Sequence, residues 1–583
     1  MNQEGSKRQW EESHFFSFDQ EKIFFRYSRP KDSQSKKSLL ILHRGHEHSG
    51  RVMEIAENLG YEDFWCFAFD LRGHGRSGGQ RAWAKDFKTW VRDLDCFAKY
   101  IQKKFSLPEE EQMVIANSVA SVMTVSWILN YAPKIKGCIL GAPAFSIKLY
   151  VPFALSGLKF LRCLGDKFFV TSYVKSSLLT RDEKQAKAYD EDPLITKKIG
   201  VNVLVDLFDT SKVILERAQD FEVPVLILSA EKDFIVKNKV QKAFYEKISS
   251  EEKKFMMLDN FRHAIFHESE KEKVLKPMRE FIDKQFSEPV YLPAVIPKER
   301  MHTMLEFQKL AAGPSGLKAL YYSSLRFLMK SLGRSSKGIK LGLEHGFNSG
   351  SSLDYVYRNK AQGKWLIGQW IDRAYLNSVG WRGIRTRKEN LKKALHGLIE
   401  LNPKESLKVF DLAGGGASYL YEIKKESKKE LKLHINDLDP QSLKQAQENL
   451  QDYKFPKEDI IFSQVDAYNL DTLKFAEDER PDILIVSGLF ELNAQNFHIF
   501  KSLEKLHQQS APGAQIIYTA QPWHPQLGLI AYVLHDRFKR AWVMRRRIQS
   551  EMDQLIEAAG FQKTSTESDD EGIFTVSHAQ KKI

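Results

Sequence analysis

A serine in a tight turn of small residues is the first candidate for chemistry in this chain. Ser118 follows the apolar run 112–117 and lies between Ala116 and Ala120. A strand that turns directly into a helix lifts such a serine hydroxyl to the edge of a sheet, and small neighbours let the two elements pass closely. The usual form of this turn has glycine two residues before and two residues after the serine, whereas here both are alanine. A serine in an ordinary strand-to-helix turn is therefore the alternative interpretation.

A carboxylate and a histidine follow Ser118 in the order that a nucleophilic hydrolase requires. Such an enzyme needs a serine, a histidine base, a carboxylate that orients the histidine, and amides for the oxyanion. Asp233 follows the apolar run 223–229, and His263 comes 30 residues later. A loop or helix-cap role for Asp233, and His267 as the base, are the alternatives. The chain order favours Ser118, Asp233 and His263 as a catalytic triad.

Two histidine- and glycine-rich strings near the start of the chain resemble strings of one hydrolase family. They are 43–51 (His-Arg-Gly-His-Glu-His-Ser-Gly-Arg) and 69–79 (Phe-Asp-Leu-Arg-Gly-His-Gly-Arg-Ser-Gly-Gly). Over about 12–286 the chain resembles the monoacylglycerol lipases and related lysophospholipases of the serine aminopeptidase S33 group. This resemblance implies an α/β-hydrolase fold and an acyl ester, such as a monoacylglycerol or a lysophospholipid, as the substrate. It also implies an oxyanion hole formed by the backbone amides of Gly45 and Val119.

The chain departs from that family beside the oxyanion loop. Arg44 and His46 stand where the family has glycine. A large side chain at this place narrows the site, supplies a positive charge to an anionic substrate, or impairs the hydrolase. An active hydrolase is favoured, because all three triad residue types persist in order. His46, His48 and His74 are predicted to hydrogen-bond loops at the sheet edge.

A glycine-rich turn in the second half of the chain predicts a nucleoside-binding site. The apolar run 407–412 contains Asp411 and leads into three glycines, 414–416, where a ligand can approach the backbone closely. The next apolar run ends in Asp437, whose carboxylate suits the two ribose hydroxyls of a nucleoside. A Rossmann dehydrogenase is the rival interpretation. It is disfavoured because the turn begins with an acid and lacks the Gly-x-Gly-x-x-Gly spacing.

Two further strand ends complete a pattern that resembles the class I S-adenosylmethionine methyltransferases. Asp466 follows a third apolar run, where it is placed for an adenine amino group, and a fourth run over 481–487 would form the wall beside the methyl group. Three unrelated loop aspartates are the alternative. The resemblance implies S-adenosyl-L-methionine as the cofactor, with the glycine-rich turn serving its amino acid portion. The predicted cofactor-binding residues are Asp411, Ala413, Gly414, Gly415, Gly416, Asp437, Asp466, Ala467 and Ser487.

Four more strings are similar to the methyltransferase half of bacterial proteins that fuse a hydrolase to a methyltransferase. They lie at 352–358, 380–385, 521–526 and 542–547, so the resemblance spans nearly the whole chain. Fusion of the two halves suggests that both act in one lipid or small-molecule pathway.

The sequence disfavours some classes of methyl acceptor but does not identify the acceptor. Arg358, Arg385, Trp523 and His524 are candidates to face an acceptor, and packing between helix and sheet is the alternative for each. The chain has no Asn/Asp-Pro-Pro-Tyr-like string, which disfavours methylation of the exocyclic amines of bases. It has no cysteine after Cys163, which excludes cysteine-dependent methylation of pyrimidine C5.

The charge balance favours anionic partners. The 583 residues include 88 Lys and Arg against 75 Asp and Glu, which gives a formal net charge of +13. Lipid headgroups and nucleic acid both suit such a charge, but the basic residues are spread along the chain. We therefore predict a small-molecule or lipid substrate and disfavour nucleic acid. The oligomeric state is not fixed by the sequence.

Cysteine usage and hydropathy predict a cytoplasmic protein without a metal site. The four cysteines, Cys66, Cys96, Cys138 and Cys163, are irregularly spaced and show no paired zinc spacing. Such cysteines are typical of a reducing compartment. The first residues lack the apolar run of a signal peptide, and the apolar stretch 138–170 is too interrupted to span a bilayer.

The candidate site residues lie in two parts of the chain, and in each part apolar runs alternate with amphipathic stretches. This alternation predicts parallel sheets with helices on both faces. In the first series the predicted strands are 38–43, 65–70, 112–117, 137–142 and 223–229, and the predicted helices are 86–104, 119–132 and 238–248. In the second series the predicted strands are 407–412, 431–437, 459–466, 481–487, 514–520 and a late, reversed strand from 571. The predicted domains are an α/β-hydrolase (12–286, with a helical cap at about 145–220), a linker rich in proline (287–299), a helical extension (300–400) and a Rossmann-like methyltransferase (401–583).

The stretch 316–345 is basic and amphipathic. It predicts a helix that lies on an anionic membrane or, alternatively, one that packs on the methyltransferase with solvated lysines.

Together the patterns predict a cytoplasmic bifunctional enzyme, a serine ester hydrolase joined to a methyltransferase, with peripheral contact to the inner face of the membrane left open. Two other functions stay open. One is an RNA or small-molecule methyltransferase on a vestigial hydrolase scaffold, and the other is an S-adenosylmethionine sensor that regulates the hydrolase.

Overall fold

The chain divides into two compact units, each with its own mostly parallel sheet. The computed structural model describes residues 8–290 and 299–582. The units are Met1–Leu292 and Pro293–Ile583. Most of the predicted linker, residues 291–298, lies outside the described residues.

The first unit alternates strands and helices along the chain. Its strands are β1 (Glu11–Phe16), β2 (Lys22–Ser28), β3 (Ser38–Leu42), β4 (Trp65–Phe69), β5 (Gln112–Asn117), β6 (Gly137–Gly141), β7 (Phe169–Thr171), β8 (Lys198–Gly200), β9 (Val225–Ala230) and β10 (Lys253–Leu258). Its helices are α1 (Met53–Leu59), α2 (Phe87–Phe105), α3 (Val119–Tyr131), α4 (Ala154–Leu164), α5 (Ser176–Leu179), α6 (Glu183–Glu191), α7 (Val201–Glu216), α8 (Asn238–Lys247) and α9 (Glu272–Ser287).

The main sheet of this unit has the strand order β1-β2-β4-β3-β5-β6-β9-β10. From β4 to β10 the strands are parallel, whereas β1 and β2 pair antiparallel at one edge. All residues of β3, β4, β5, β6 and β9 are buried, which explains their continuous apolar runs. These are the five strands that the sequence predicted. Between β6 and β9 the chain forms α4 to α7 and the short hairpin β7–β8, in the stretch predicted to be a helical cap.

The second unit begins with helices and then alternates. Its helices are α10 (Met301–Ala312), α11 (Gly316–Ser331), α12 (Lys337–His345), α13 (Gly350–Arg358), α14 (Trp365–Leu376), α15 (Val379–Leu401), α16 (Ser418–Glu426), α17 (Pro440–Leu450), α18 (Asn496–Gln509), α19 (Leu527–Val533) and α20 (Gln549–Ala558). Its strands are β11 (Ser406–Asp411), β12 (Glu430–Asn436), β13 (Ile460–Ser463), β14 (Ile483–Val486), β15 (Gln515–Ala520), β16 (Phe561–Ser568) and β17 (Thr575–Lys581).

The sheet of the second unit has the order β13-β12-β11-β14-β15-β17-β16. Its first five strands in the chain are parallel, and β17 is antiparallel to both of its neighbours. The late, reversed strand predicted from 571 is therefore present as β17, which begins four residues later. Strand β16, its hairpin partner, was not predicted. The strand order changes direction at β11, which has β12 on one side and β14 on the other, and ligands of open α/β sheets bind at such a point.

No helix in the described part of the chain is long and apolar enough to cross a bilayer.

Two candidate active sites

Ser118 lies in a strained turn between β5 and α3. Its φ angle is +56°, in the left-handed region that a residue with a side chain adopts only at a cost. The Ser118 N–H donates a 2.8 Å hydrogen bond to the carbonyl oxygen of Gly141 at the end of β6, which anchors the turn. Ala116 and Ala120 are fully buried. The strand-to-helix turn therefore forms with alanine in the places where glycine is usual.

The three predicted triad residues lie within hydrogen-bond distance of one another. His263 Nε2 is 2.8 Å from Ser118 Oγ, and His263 Nδ1 is 2.8 Å from Asp233 Oδ2. Asp233 follows β9 and His263 follows β10, so the carboxyl ends of neighbouring parallel strands bring both side chains to the serine. All three side chains are buried. In this geometry His263 can take the proton of Ser118 while its Nδ1–H donates to Asp233.

Asp233 is fixed by its own backbone surroundings. Its Oδ1 accepts hydrogen bonds from the N–H groups of Ile235 at 2.7 Å and Val236 at 2.9 Å. Burial alone would raise the pKa of the Asp233 carboxyl, but His263 and the two backbone donors hold it below its ordinary value. An ionised Asp233 stabilises the histidine in the tautomer that leaves Nε2 free to accept a proton.

His267 is not part of this arrangement. Its Nε2 is 2.8 Å from the carbonyl oxygen of Arg51, and burial lowers its pKa to about 4. The structure brings His263, and not His267, to Ser118. The geometry therefore disfavours the alternative in which His267 is the base.

Gly45 and Val119 are neighbours beside Ser118. A Cβ atom built on Gly45 would lie 3.3 Å from Val119 Cγ2, and both residues line the cavity at the serine. Val119 is the first residue of α3, where backbone N–H groups have no acceptor within the helix and negative charge is favoured. The pair can therefore supply two backbone N–H donors to an oxyanion.

The cavity at Ser118 is small and mostly apolar. Its volume is about 80 Å³, against roughly 300–1,000 Å³ for sites that enclose a drug-sized ligand. Helices α5, α6 and α7 and the residues flanking them contribute much of its wall. This volume is the size of a short acyl or glycerol-sized group.

The histidine-rich loop is held by polar contacts and by unusual backbone. His48 Nε2 is 2.9 Å from Asp192 Oδ2, and His74 Nδ1 is 3.1 Å from the carbonyl oxygen of Arg72. His46 has a φ angle of +73°, which is costly for a residue with a side chain. These contacts agree with the structural role predicted for His48 and His74.

A second, larger cavity of about 730 Å³ opens in the second unit around the carboxyl ends of β11, β12 and β14. Its volume falls within the range of about 300–1,000 Å³ that is typical of small-molecule sites. The residues predicted to bind the cofactor all line it: Asp411, Ala413, Gly414, Gly415, Gly416, Asp437, Asp466, Ala467 and Ser487.

The glycine-rich turn needs glycine for steric reasons. A Cβ atom on Gly414 would lie 2.8 Å from Ile435 Cγ2, closer than real Cβ atoms approach. Gly415 has a φ angle of +54°. Its N–H donates a 3.0 Å hydrogen bond to Asp437 Oδ2, which ties the turn to the end of β12. The turn therefore offers a bare backbone surface to a ligand.

Two carboxyl groups in this cavity are buried without a cationic partner at hydrogen-bond distance among the described residues. Burial raises the pKa of Asp411 to about 7, although the Tyr419 hydroxyl and the Ala413 N–H donate hydrogen bonds to it. Burial also raises the pKa of Asp437. Asp466 is exposed and accepts a hydrogen bond from the Tyr468 N–H at 2.9 Å. A cationic amino acid group beside Asp411 and ribose hydroxyls beside Asp437 would complement these groups, so the residues present fit S-adenosylmethionine.

Beyond the cofactor residues the cavity is walled by aromatic and basic side chains. Arg387 lies over the Phe574 ring, 4.9 Å from its centre, and is 3.5 Å from Glu491 Oε1. Trp381 and Trp542 line the same cavity. Both lie in strings that are similar to those of a methyltransferase family, but neither they nor Arg387 were predicted as site residues, because their helices and loops meet only in the folded chain.

Of the four residues predicted to face an acceptor, His524 lines the cavity. Its Nδ1 accepts a 3.0 Å hydrogen bond from the Gln526 N–H, and burial lowers its pKa to about 4, so the neutral ring carries its proton on Nε2. Arg385 instead donates from Nη1 to the carbonyl oxygen of Leu376 at the end of α14, at 2.9 Å. Arg358 and Trp523 are not among the residues that line the cavity.

Comparisons with known proteins agree with this division of the chain. Residues 33–270 match the family model "Serine aminopeptidase, S33", and residues 278–581 match the model "Putative methyltransferase". The Escherichia coli K12 protein "Uncharacterized protein YnbC" is 37% identical over 576 residues, which cover 98% of each chain.

Two relatives match the first half alone. The monoglyceride lipase of Rattus norvegicus is 27% identical over 261 residues, which cover 44% of this chain and 84% of that protein. The phospholipase YtpA of Bacillus subtilis is 25% identical over 248 residues, which cover 42% of this chain and 94% of that protein. The chain therefore belongs to the family that the methyltransferase model describes, and it carries an α/β-hydrolase domain of the serine aminopeptidase S33 type in its first half.

Proposed function

We propose that the chain is a bifunctional enzyme that hydrolyses an acyl ester and transfers a methyl group from S-adenosylmethionine. The observation that carries the hydrolase is the continuous set of hydrogen bonds from Ser118 through His263 to Asp233. Relatives named as a monoglyceride lipase and a phospholipase favour a monoacylglycerol or lysophospholipid as the ester. The methyltransferase is supported by the family match and by the cavity around the glycine-rich turn.

In the proposed hydrolysis, Ser118 Oγ attacks the ester carbonyl carbon while His263 Nε2 takes the hydroxyl proton. Asp233 stabilises the imidazolium that forms. The N–H groups of Gly45 and Val119 donate to the oxyanion of the tetrahedral intermediate. His263 then gives its proton to the leaving alcohol, and the same steps with water release the acid and restore the Ser118 hydroxyl.

In the proposed methyl transfer, the residues of the chain bind and orient the donor and the acceptor. Asp411 would pair with the amino acid group of S-adenosylmethionine, Asp437 with its ribose hydroxyls and Asp466 with its adenine amino group. The bound cofactor supplies an electrophilic methyl group. In the same cavity, His524 Nε2–H and Arg387 would offer hydrogen-bond donors to the acceptor.

We further propose that the protein works at the cytoplasmic face of a membrane. The basic and amphipathic stretch 316–345 forms α11, which has no buried residue, and α12, which buries Gly338, Ile339 and Gly342. Leu317 and Phe327 on α11, and Trp365 and Trp370 on α14, each expose more than two thirds of their surface. Exposed aromatic and aliphatic groups among lysines and arginines favour the interface of an anionic bilayer.

The test uses the full chain with a monoacylglycerol, a lysophospholipid and labelled S-adenosylmethionine. We expect acid release that Ser118→Ala abolishes, and donor binding in equilibrium dialysis that Asp411→Ala abolishes. Hydrolysis that Ser118→Ala leaves intact would refute the triad. No hydrolysis together with methylation of RNA would favour the vestigial scaffold. Hydrolysis that responds to the donor, without any methylated product in lipid and metabolite extracts, would favour the sensor.

A further inference from the structure

A buried guanidinium lines the cavity that contains Ser118. Arg44 is 3% exposed and directly precedes Gly45. Its Nη2 donates a 2.7 Å hydrogen bond to Glu47 Oε1. Its Nε and Nη1 atoms are buried and have no hydrogen-bond partner among the described residues. An arginine carries five donor N–H groups in a fixed fork, so most of the donor capacity of this side chain is unused.

The charges around Arg44 do not balance. Glu47 contacts two guanidinium groups, Arg44 at 2.7 Å and Arg51 at 3.5 Å. Within the described residues no other carboxylate lies within ion-pair distance of either. The surrounding cations hold the pKa of Glu47 at about 2 despite its burial, and burial lowers the pKa of both His46 and His267 to about 4. At neutral pH this cluster therefore holds two positive charges and one negative charge.

An unbalanced buried charge is costly when no second carboxylate compensates it. The rest of the cavity wall is largely apolar, and side chains such as Leu179, Leu204 and Leu207 cannot pair with the charge. The Tyr189 ring lies 5.7 Å from the guanidinium carbon and offers its π face rather than an anion.

We propose that Arg44 binds an anionic group carried by the ester substrate of the hydrolase. The group is a phosphate or a carboxylate that enters the cavity with the ester and accepts a charge-assisted hydrogen bond from Nη1 of Arg44, one of the two nitrogen atoms that have no partner among the described residues. Arg44 adjoins the oxyanion residue Gly45, so the anion lies close to the scissile carbonyl. The inference rests on the proposed ester hydrolase and deepens it by naming the charge of the substrate.

Matched esters that differ by one charge test this proposal on the full chain. The phosphate arm compares a 1-acylglycerol with the 1-acylglycerol 3-phosphate of the same acyl chain. The carboxylate arm compares p-nitrophenyl esters whose acyl chain ends in a methyl group or in a carboxylate. We expect kcat/KM to be higher for the anionic member in at least one arm, and the arm that shows the preference identifies the source of the anion.

The variant Arg44→Met keeps much of the side-chain volume and removes the charge. We expect it to lower the anionic-to-neutral ratio of kcat/KM by about 10- to 100-fold, the loss typical of one charged hydrogen-bonded contact. Arg44→Gly, which restores the residue of the related family, should lower the ratio by as much. Arg29→Met removes an exposed cation of the same unit and should leave the ratio unchanged.

Each outcome decides the proposal. A wild-type enzyme that prefers neither member in either arm, or variants that lower both rates equally, would overturn the anion site while the serine hydrolase stands. A chain that hydrolyses none of the four esters would overturn the proposed hydrolase and this inference together. If both variants fail to fold, competition decides instead. Inorganic phosphate or acetate should then inhibit hydrolysis of the neutral ester by the wild type competitively, and the absence of such inhibition overturns the proposal.

Discussion

The carboxyl of Asp411 should destabilise the second unit at neutral pH, and the variant Asp411→Asn should remove that cost. Burial raises the pKa of this group from an ordinary 3.8 to about 7. The folded state therefore binds the proton more tightly than the unfolded state does. The stabilisation that results is present while the carboxyl is protonated, and it is lost as the pH rises from about 4 to about 7.

The expected magnitude follows from the size of that window. Each pH unit between the two pKa values changes the free energy of unfolding by about 1.4 kcal/mol. Between pH 5 and pH 8, only the interval from pH 5 to about pH 7 lies between the two pKa values, which is about two pH units. Over this range the free energy of unfolding of the wild type should therefore fall by about 2.7 kcal/mol relative to that of Asp411→Asn. An asparagine can still accept the Ala413 N–H and donate to the Tyr419 hydroxyl, so the hydrogen bonds of the site can persist.

Hydrogen exchange of the β11 and β12 amides in the full chain measures this difference. At each pH the amide protection factor of Asp411→Asn is divided by that of the wild type. The intrinsic exchange rates and the effects of other titrating groups are the same in both proteins, so they cancel in this ratio. We expect the ratio to rise by about 100-fold between pH 5 and pH 8. Asp471→Asn, an exposed carboxyl of the same unit, should show a constant ratio. A constant ratio for Asp411→Asn as well would refute the burial argument.

Four shorter predictions test other contacts. Asp233→Asn should lower kcat for p-nitrophenyl butyrate by about 10⁴-fold with little change in KM, since it removes the group that fixes the histidine tautomer. His267→Asn should lower that kcat by less than about tenfold, and a loss as large as that of Asp233→Asn would restore His267 as the base. Gly415→Ala should weaken S-adenosylmethionine binding in dialysis by about tenfold, because alanine at a φ of +54° costs about 1–2 kcal/mol; unchanged affinity would contradict the strain argument. Trp370→Ser should reduce co-sedimentation with anionic vesicles more than Phe16→Ser, an exposed aromatic of the other unit, and equal losses would refute the proposed membrane surface.

The sequence predicted all the strands whose residues are entirely buried, because such strands have continuous apolar runs. Apart from β2, which is mostly buried, the strands that it missed are partly exposed or short. Strand β16 (Phe-Gln-Lys-Thr-Ser-Thr-Glu-Ser) buries few of its residues at the sheet edge, so it lacks an apolar run. Strands β1 and β2 form an antiparallel edge, and β7 and β8 have three residues each. Periodicity identifies a strand only when burial imposes a pattern long enough to recognise.

The candidate sites show the same limit. Residues at the carboxyl ends of predicted strands could be found from the sequence, because parallel strands end at one edge of the sheet; Ser118, Asp233 and Asp411 are of this kind. His263 was found from its place in the chain order. The aromatic and basic wall of the second cavity, with Arg387 and Trp381, could not be found in this way. Those side chains belong to α15, and which of its faces meets the sheet is decided by tertiary packing.

The two candidate sites share a physical property that chain order alone does not reveal. In each of them a buried ionisable group lacks part of its complement among the described residues: the carboxyl of Asp411 has no cationic partner at hydrogen-bond distance, and two nitrogen atoms of Arg44 have no hydrogen-bond partner. Folded proteins rarely bury an ionisable group without partners, because nothing then offsets its desolvation cost. Such a group at a candidate site therefore indicates that the ligand supplies the missing partner. The ligand of each site should then carry a charge opposite to that of the buried group. A cation suits Asp411, as the amino acid group of S-adenosylmethionine provides, and an anion suits Arg44. The neutral monoacylglycerol is accordingly the weaker candidate for the hydrolase, and an acyl ester that bears a phosphate or carboxylate is the stronger one.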